Sequence, residues 1–269
     1  MRIMTQSSLL RSALASLNDN SPTAVALDRV SKSFNGTLAV DEVSFTVPRG
    51  QSIVLVGPSG AGKTTLLRLM AGSVKPDEGT ISVHARDLAE FSPGRELAEL
   101  VGIVAQQYDL VANLSVLQNV LAGRLGSWGL WRSLLSLIAP RDKPLAMQAL
   151  TRVGMAERAY RRASQLSGGE QQRVAIARVL VQDPAVLLAD EPVASLDPAR
   201  SEDVMRLLTG IARESGKTLV ASMHAVDLAA RHFDRLLGVR NGAVQFDSPP
   251  ADVTVEMLGA LYQLEGLRA

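Results

Sequence analysis

Gly57-Pro58-Ser59-Gly60-Ala61-Gly62-Lys63-Thr64 is the stretch that decides the fold. It fits the pattern GxxxxGK[ST], and its flanks fit too. Residues 53–56 (IVLV) read as a short, continuously apolar strand buried on both faces, and residues 64–71 read as a helix stopped by Gly72. The glycines allow successive backbone N–H groups to turn inward on a phosphate, and the helix N-terminus adds a favourable dipole. Lys63 brings a point charge toward β- and γ-phosphates, and the Thr64 hydroxyl is of the type that ligates Mg²⁺. A strand, a phosphate loop and a helix in that order predict an α/β core that binds a nucleoside triphosphate.

Working outward, residues 24–30 and 40–47 alternate in hydropathy around an Asn35-Gly36 turn, and residues 79–83 read as a further strand. An antiparallel β section is therefore expected beside the core. From about residue 97 to 165 the character becomes mostly helical, with breaks at Gly123, Gly126, Gly129, Pro140, Pro144 and Gly154. βαβ alternation then resumes. Ser167 and Glu170 make a capping-box pattern opening a helix that ends at Asp183-Pro184, and residues 185–189 form a buried strand. Asp197 and Pro198 fit an N-cap and first-turn pair for a helix reaching Ser215-Gly216. Residues 218–223 are the next strand, and Asn241-Gly242 turns a late hairpin. The expected organisation is a flexible extension over 1–22 and a single α/β domain over 23–269, with a helical insert at about 97–165.

Composition narrows the function classes. Twenty-eight Lys+Arg against 27 Asp+Glu leave a net charge of +1, which does not mark a nucleic-acid binder. The absence of cysteine excludes disulfides, Cys-ligated zinc, iron–sulfur clusters and thiol nucleophiles. No apolar run approaches the roughly 18–20 residues of a membrane span. The first 20 residues carry Arg2 and Arg11 but no extended apolar core, so no secretory leader is expected.

Two more constellations carry chemistry. Leu187-Leu188-Ala189-Asp190-Glu191 is an apolar strand ending in two carboxylates. In a phosphate-loop enzyme the first acid can hold Mg²⁺ through its water shell and the second can deprotonate an attacking water. Leu166-Ser167-Gly168-Gly169-Glu170 offers a hydroxyl, two bare glycine N–H groups and a helix dipole, which together make a second anion-binding end. At this point the chain resembles the ATP-binding cassette (ABC) family. The resemblance implies an ABC-type P-loop core with an antiparallel β subdomain and a helical insert subdomain. It also implies that two cassettes pack head to tail, the signature residues Ser167, Gly168 and Gly169 completing the ATP site of the other copy.

Further landmarks follow in family order over about residues 24–246. Gln106, after the strand-like residues 102–105, matches the Q-loop glutamine that senses Mg²⁺ and the membrane partner. Ser195-Leu196-Asp197 matches the D-loop that bridges the two sites across the dimer. His224 matches the switch histidine, and Phe34 the aromatic that stacks on adenine. The resemblance thus implies that Glu191, His224, Gln106 and Lys63 are catalytic. Phe34, Gly57, Pro58, Ser59, Gly60, Ala61, Gly62, Lys63, Thr64, Thr65, Ser167, Gly168, Gly169 and Asp197 bind ATP, and Thr64, Gln106 and Asp190 serve Mg²⁺. His84 and His232 have no such match and are expected at the surface.

Residues 104–116 (VAQQYDLVANLSV), 119–126 (NVLAGRLG), 190–198 (DEPVASLDP), 223–229 (MHAVDLA), 246–250 (FDSPP) and the pair Leu261-Tyr262 look like the phosphonate-importer ATPases. Ala105, where a bulky residue is expected, and Asn113, where a basic one is common, depart from that pattern. The subfamily resemblance implies a homodimer on the cytoplasmic face of a bacterial membrane. Its partners are two transmembrane permease subunits and a periplasmic or lipid-anchored solute-binding protein, with phosphonate, phosphite or phosphate as solute. Importers of polar amino acids and lipoprotein-release ATPases share the motifs. A non-transport ABC ATPase is disfavoured by the single cassette and short insert, and a silent scaffold by the presence of Lys63, Glu191 and His224. Residues 125–138, with Trp128 and Trp131, are read as packing within the insert or as a surface for a membrane-embedded subunit.

Overall fold

The computed structural model describes residues 22–91, 94–106, 108–127, 142–194 and 196–262. Ser195 and the stretch holding Trp128 and Trp131 lie outside them. In chain order the strands are β1 (Thr23–Phe34), β2 (Thr37–Pro48), β3 (Ser52–Val56), β4 (Glu78–Val83), β5 (Arg86–Asp87), β6 (Val101–Val104), β7 (Val186–Asp190), β8 (Thr218–Met223), β9 (Arg235–Arg240) and β10 (Ala243–Ser248). The helices are α1 (Lys63–Met70), α2 (Arg95–Leu100), α3 (Val116–Leu121), α4 (Lys143–Arg152), α5 (Gly168–Gln182), α6 (Pro198–Glu214), α7 (Val226–His232) and α8 (Val255–Tyr262).

The strands form two sheets. An antiparallel sheet has the order β2-β1-β4-β5, and the core sheet has the order β10-β9-β3-β8-β7-β6. In the core sheet β9, β3, β8, β7 and β6 run parallel, and β10 closes one edge as the antiparallel arm of a hairpin. β3, β7 and β8 are buried at every residue, which is why their sequences lack the alternation of a half-exposed strand. Period-two geometry still divides their side chains between two cores. Ile53, Leu55, Leu188 and Val220 face the antiparallel sheet and α1, with Val40, Phe45, Leu66 and Leu69. Val54, Val56, Leu187 and Leu219 face the other layer, with Val120, Leu150, Ile176 and Leu208 from α3, α4, α5 and α6.

The strand-like stretch before Gln106 forms β6, which pairs in parallel with β7 and so belongs to the core sheet; the helical layer begins beyond Gln106. The structure corrects one expectation. His232 is not a surface side chain: it is 10% exposed, with Nε2 3.0 Å from Glu202 Oε1. His84 is half-buried.

The first turn of α3 also fixes the loop that follows Gln106. Ser115 caps the helix in a box with Gln118. Asn119, 2% exposed, accepts from the Val111 N–H at 2.8 Å and donates to the Val111 and Ser115 carbonyls at 3.1 and 3.0 Å. Asn119→Ala strands these backbone groups and should cost about 1–3 kcal/mol. Urea denaturation of the full chain measures this, and an unchanged midpoint would contradict the clamp.

Candidate functional site

The site gathers at the carboxyl ends of β3, β7 and β8, where parallel α/β sheets present their loops to ligands. Residues 57–62 leave β3 in a tight loop whose glycines are required by packing. A Cβ on Gly57 (φ +152°) would lie 2.0 Å from the Val239 carbonyl oxygen, and one on Gly62 (φ +104°) 2.4 Å from that of Ala39. Lys63 opens α1 and is only 4% exposed. Its ammonium donates to the Gly57 and Pro58 carbonyls at 2.8 and 2.9 Å. Burial pushes its pKa down, and the carboxylates of Glu191 and Asp190 oppose that shift.

Asp190 ends β7 and is 5% exposed. Its Oδ1 accepts from the Thr64 hydroxyl at 3.1 Å and from the Ser222 hydroxyl at 2.7 Å. Ser222 sits opposite Asp190 in the β7–β8 register and accepts in turn from the Glu191 N–H at 2.9 Å. Glu191 takes a left-handed backbone conformation, φ +46°, as the chain leaves the strand. Its carboxylate meets both other predicted groups: the Gln106 amide donates to Oε2 at 3.3 Å, and His224 Nε2 lies 2.5 Å from Oε1. A cavity of about 300 Å³ is lined by Ser59, Gly60, Ala61, Gly62, Lys63, Thr64, Thr65, Ala39, Gln106, Glu191 and His224. One cavity thus joins the phosphate loop, the predicted base and both predicted sensors. Phe34 stands 44% exposed at the β1–β2 turn, outside that lining, with the Lys32 ammonium 5.6 Å from its ring centroid.

Ser167, Gly168 and Gly169 stand elsewhere. Ser167 and Gly169 line a separate cavity of about 320 Å³ with Glu170, Arg173, Leu196, Arg200, Asp203 and Val204, which shares no residue with the first. Glu170 accepts from the Ser167 N–H at 2.9 Å and from its hydroxyl at 3.0 Å. A Cβ on Gly168 would meet nothing within 4 Å, and one on Gly169 only Leu196 at an ordinary 3.5 Å. Neither glycine has a positive φ. Internal packing therefore does not account for two glycines at a helix start. Asp197 caps α6 through the Arg200 N–H at 3.0 Å and pairs with the Arg200 guanidinium at 3.2 Å. A third depression, of about 540 Å³, shares Glu191 and His224 with the first cavity and Leu196 with the second.

Sequence reading missed Ser222, Asn119 and Arg178. Ser222 had a signal, a hydroxyl following the apolar run at residues 219–221 of a buried strand. Arg178, on α5, donates to the Asp109 and Tyr108 carbonyls at 2.9 and 3.0 Å and so holds the backbone just past Gln106 from the signature helix. Burial lowers its pKa. An arginine inside a helix with apolar neighbours offers no pattern that foretells this reach of 69 residues.

Comparison with known proteins follows the same lines. Residues 40–194 match the family described as ABC transporter. The chain is 46% identical over 230 residues to a phosphonates import ATP-binding protein of Halalkalibacterium halodurans, covering 85% of this chain and 89% of that one. A protein of the same name from Thiobacillus denitrificans is 44% identical over 246 residues, covering 91% and 95%. Among solved structures, a dimeric ATP-binding cassette in a post-hydrolysis state bound to ADP and Pi superposes with a TM-score of 0.74 at 29% identity. That match covers 84% of this chain and 98% of the other.

The capping box of α5 yields a pH-dependent prediction. Hydrogen bonds from the Ser167 backbone and hydroxyl, with Arg158 and Arg161 nearby, hold Glu170 below its ordinary value of 4.5. A depressed carboxylate contributes stability that is complete above the unfolded-state value and is lost as pH falls through the folded-state value. The thermal-stability advantage of the natural protein over Glu170→Gln should therefore be full near neutrality and shrink as pH falls below about 4.5. An advantage that grows in acid would contradict the assignment.

Proposed function

This chain belongs to the ABC transporter family and is an ATPase; from that premise we propose that two copies close around two ATP molecules, each site taking its halves from both chains. The observation that carries the reading is the unexplained glycine pair. Gly168 has open space where a side chain would stand, and Gly169 leaves room beside Leu196, at a helix N-terminus where Ser167 and Gly169 line a cavity separate from the phosphate loop. Bare amides there suit close approach by a phosphate held on another chain. Solved relatives described as dimeric ATP-binding cassettes support the same arrangement.

Within each site, Phe34 offers a face for the base, and the amides of residues 59–65 cradle the phosphates. Lys63 transfers its ammonium from the Gly57 and Pro58 carbonyls to phosphate oxygens. The oxygens of Thr64, Asp190 and Gln106 are hard donors that fit Mg²⁺, and the Thr64–Asp190 contact already joins two of them. When bound, Mg²⁺ neutralises developing charge on the phosphates. Glu191 accepts the proton of the attacking water, while His224 and Gln106 hold its carboxylate in position. Asp197, capping α6 beside the signature cavity, sits where the facing chain arrives.

The names of the relatives support phosphonate as the imported solute. No helix among the described residues is long and apolar enough to cross a membrane, so translocation falls to separate permease subunits. We place this subunit on the cytoplasmic face of the membrane, coupled through the loop after Gln106, with a solute-binding protein delivering cargo on the far side. The domain reading stands as part of the proposal: one cassette from residue 23 onward, with 1–22 an extension.

Two experiments test the reading. Glu191→Gln should reduce turnover by at least about a hundredfold, the scale of general-base catalysis, while ATP binding survives; retained turnover removes Glu191 from the base role. Ser167→Arg and Lys63→Ala chains, each inactive alone, should recover turnover when mixed in equal amounts, because the heterodimer has one intact composite site. A mixture without activity contradicts completion in trans.

A further inference from the structure

We propose that Tyr262 is a positioning residue for the switch loop: its phenol hydroxyl donates to the His224 carbonyl oxygen at 3.3 Å, tying the last turn of α8 to the segment that holds His224 against Glu191. The inference rests on the reading of His224 given above. Tyr262 lies well beyond the residues matched by the family as a whole, which end at 194. It extends the catalytic apparatus into the C-terminal helix.

The placement of α8 makes Tyr262 a firm anchor. Leu261 is fully buried in the core shared by β7 and α6, and Tyr262 packs against the same cluster. The Arg240 guanidinium, at the end of β9, donates to the Ala260 carbonyl. Val239, its neighbour, presents the carbonyl that excludes any side chain from Gly57. β9, the entrance of the phosphate loop and the end of α8 therefore meet at one point, and Tyr262 is the side chain there that reaches His224. Half-burial raises its pKa above the ordinary 10, against the pull of a backbone hydrogen bond from Gly57. The phenol thus stays protonated and remains a donor throughout the working pH range. Its hydroxyl faces the His224 carbonyl and so ties the end of α8 to the segment that carries the imidazole. Apart from its contact with Glu191, the His224 side chain is 39% exposed, and α7 beyond it has no side-chain cap.

Removing only the hydroxyl tests the idea. In the full-length protein, Tyr262→Phe keeps the ring and its packing, so the melting temperature should hold within a few degrees. The loss should fall on kcat, about three- to tenfold, the size expected for one neutral hydrogen bond, with KM for ATP within about twofold because the phosphate cradle is intact. A double-mutant cycle supplies the readout that a merely structural role would not move. On the residual single-turnover rate of His224→Ala, adding Tyr262→Phe should change nothing further. An unchanged kcat in Tyr262→Phe overturns the proposal. The same fold-loss in both backgrounds also overturns it, because Tyr262 would then act independently of His224. If His224→Ala alone turns over normally, the reading of His224 falls, and this inference with it; that outcome is distinct from a failure confined to Tyr262.

Discussion

The parallel hydrogen-bonded register of β3, β8 and β7 is the constraint on which the site depends. Val56 lies opposite Met223, and Asp190 opposite Ser222, so the chain leaves all three strands at one level. Gly57, Glu191 and His224 consequently emerge within reach of one another although 134 and 33 residues separate them in sequence. Sliding β7 by one residue would turn Asp190 away from Ser222 and Thr64 and exchange the residues facing the two cores. Because Ile53, Leu55, Leu188 and Val220 face one core while Val54, Val56, Leu187 and Leu219 face the other, that slip would exchange side chains of different shape between two packed cores and is opposed by packing along each strand. The hydrophobic pattern that builds the sheet also sets the geometry of catalysis.

Around the phosphate loop, the buried polar groups satisfy one another. Asp190 is buried with two hydroxyl donors, Ser222 joins it to the Glu191 amide, and Lys63 lies against two carbonyls. Each group is held near where an incoming nucleotide needs it. The signature end is built differently: Ser167 is tied to Glu170, and Gly168 and Gly169 carry no side chains at the start of α5. In the proposed dimer a phosphate would give both ends a common acceptor and so favour assembly, because a ligand shifts an equilibrium only through differential affinity for its states.

Much of this was legible in the sequence because the decisive elements are punctuated locally. The glycines of 57–62, the capping pair Ser167 and Glu170, the Asp197-Pro198 start and the Asn241-Gly242 turn each leave a short-range signature, and each sits where it was read. The continuous apolar runs were identified as central strands for the same reason. What was not legible depends on reach across the fold. His232 is drawn inward by Glu202 from another helix. Arg178, Asn119 and Ser222 act on backbone or carboxylate groups whose nearness no periodicity reports. The family resemblance supplied roles for Gln106 and His224, and both contact Glu191; that convergence is a property of the folded chain.

The central claim is that neither copy alone holds a complete ATP site. The most direct measurement is the specific ATPase activity of the full-length chain over a wide dilution series, with association state followed by sedimentation at the same concentrations. The account predicts that activity per chain falls in step with the dimer fraction and vanishes as the protein becomes monomeric. Undiminished activity per chain in a fully monomeric sample would contradict it.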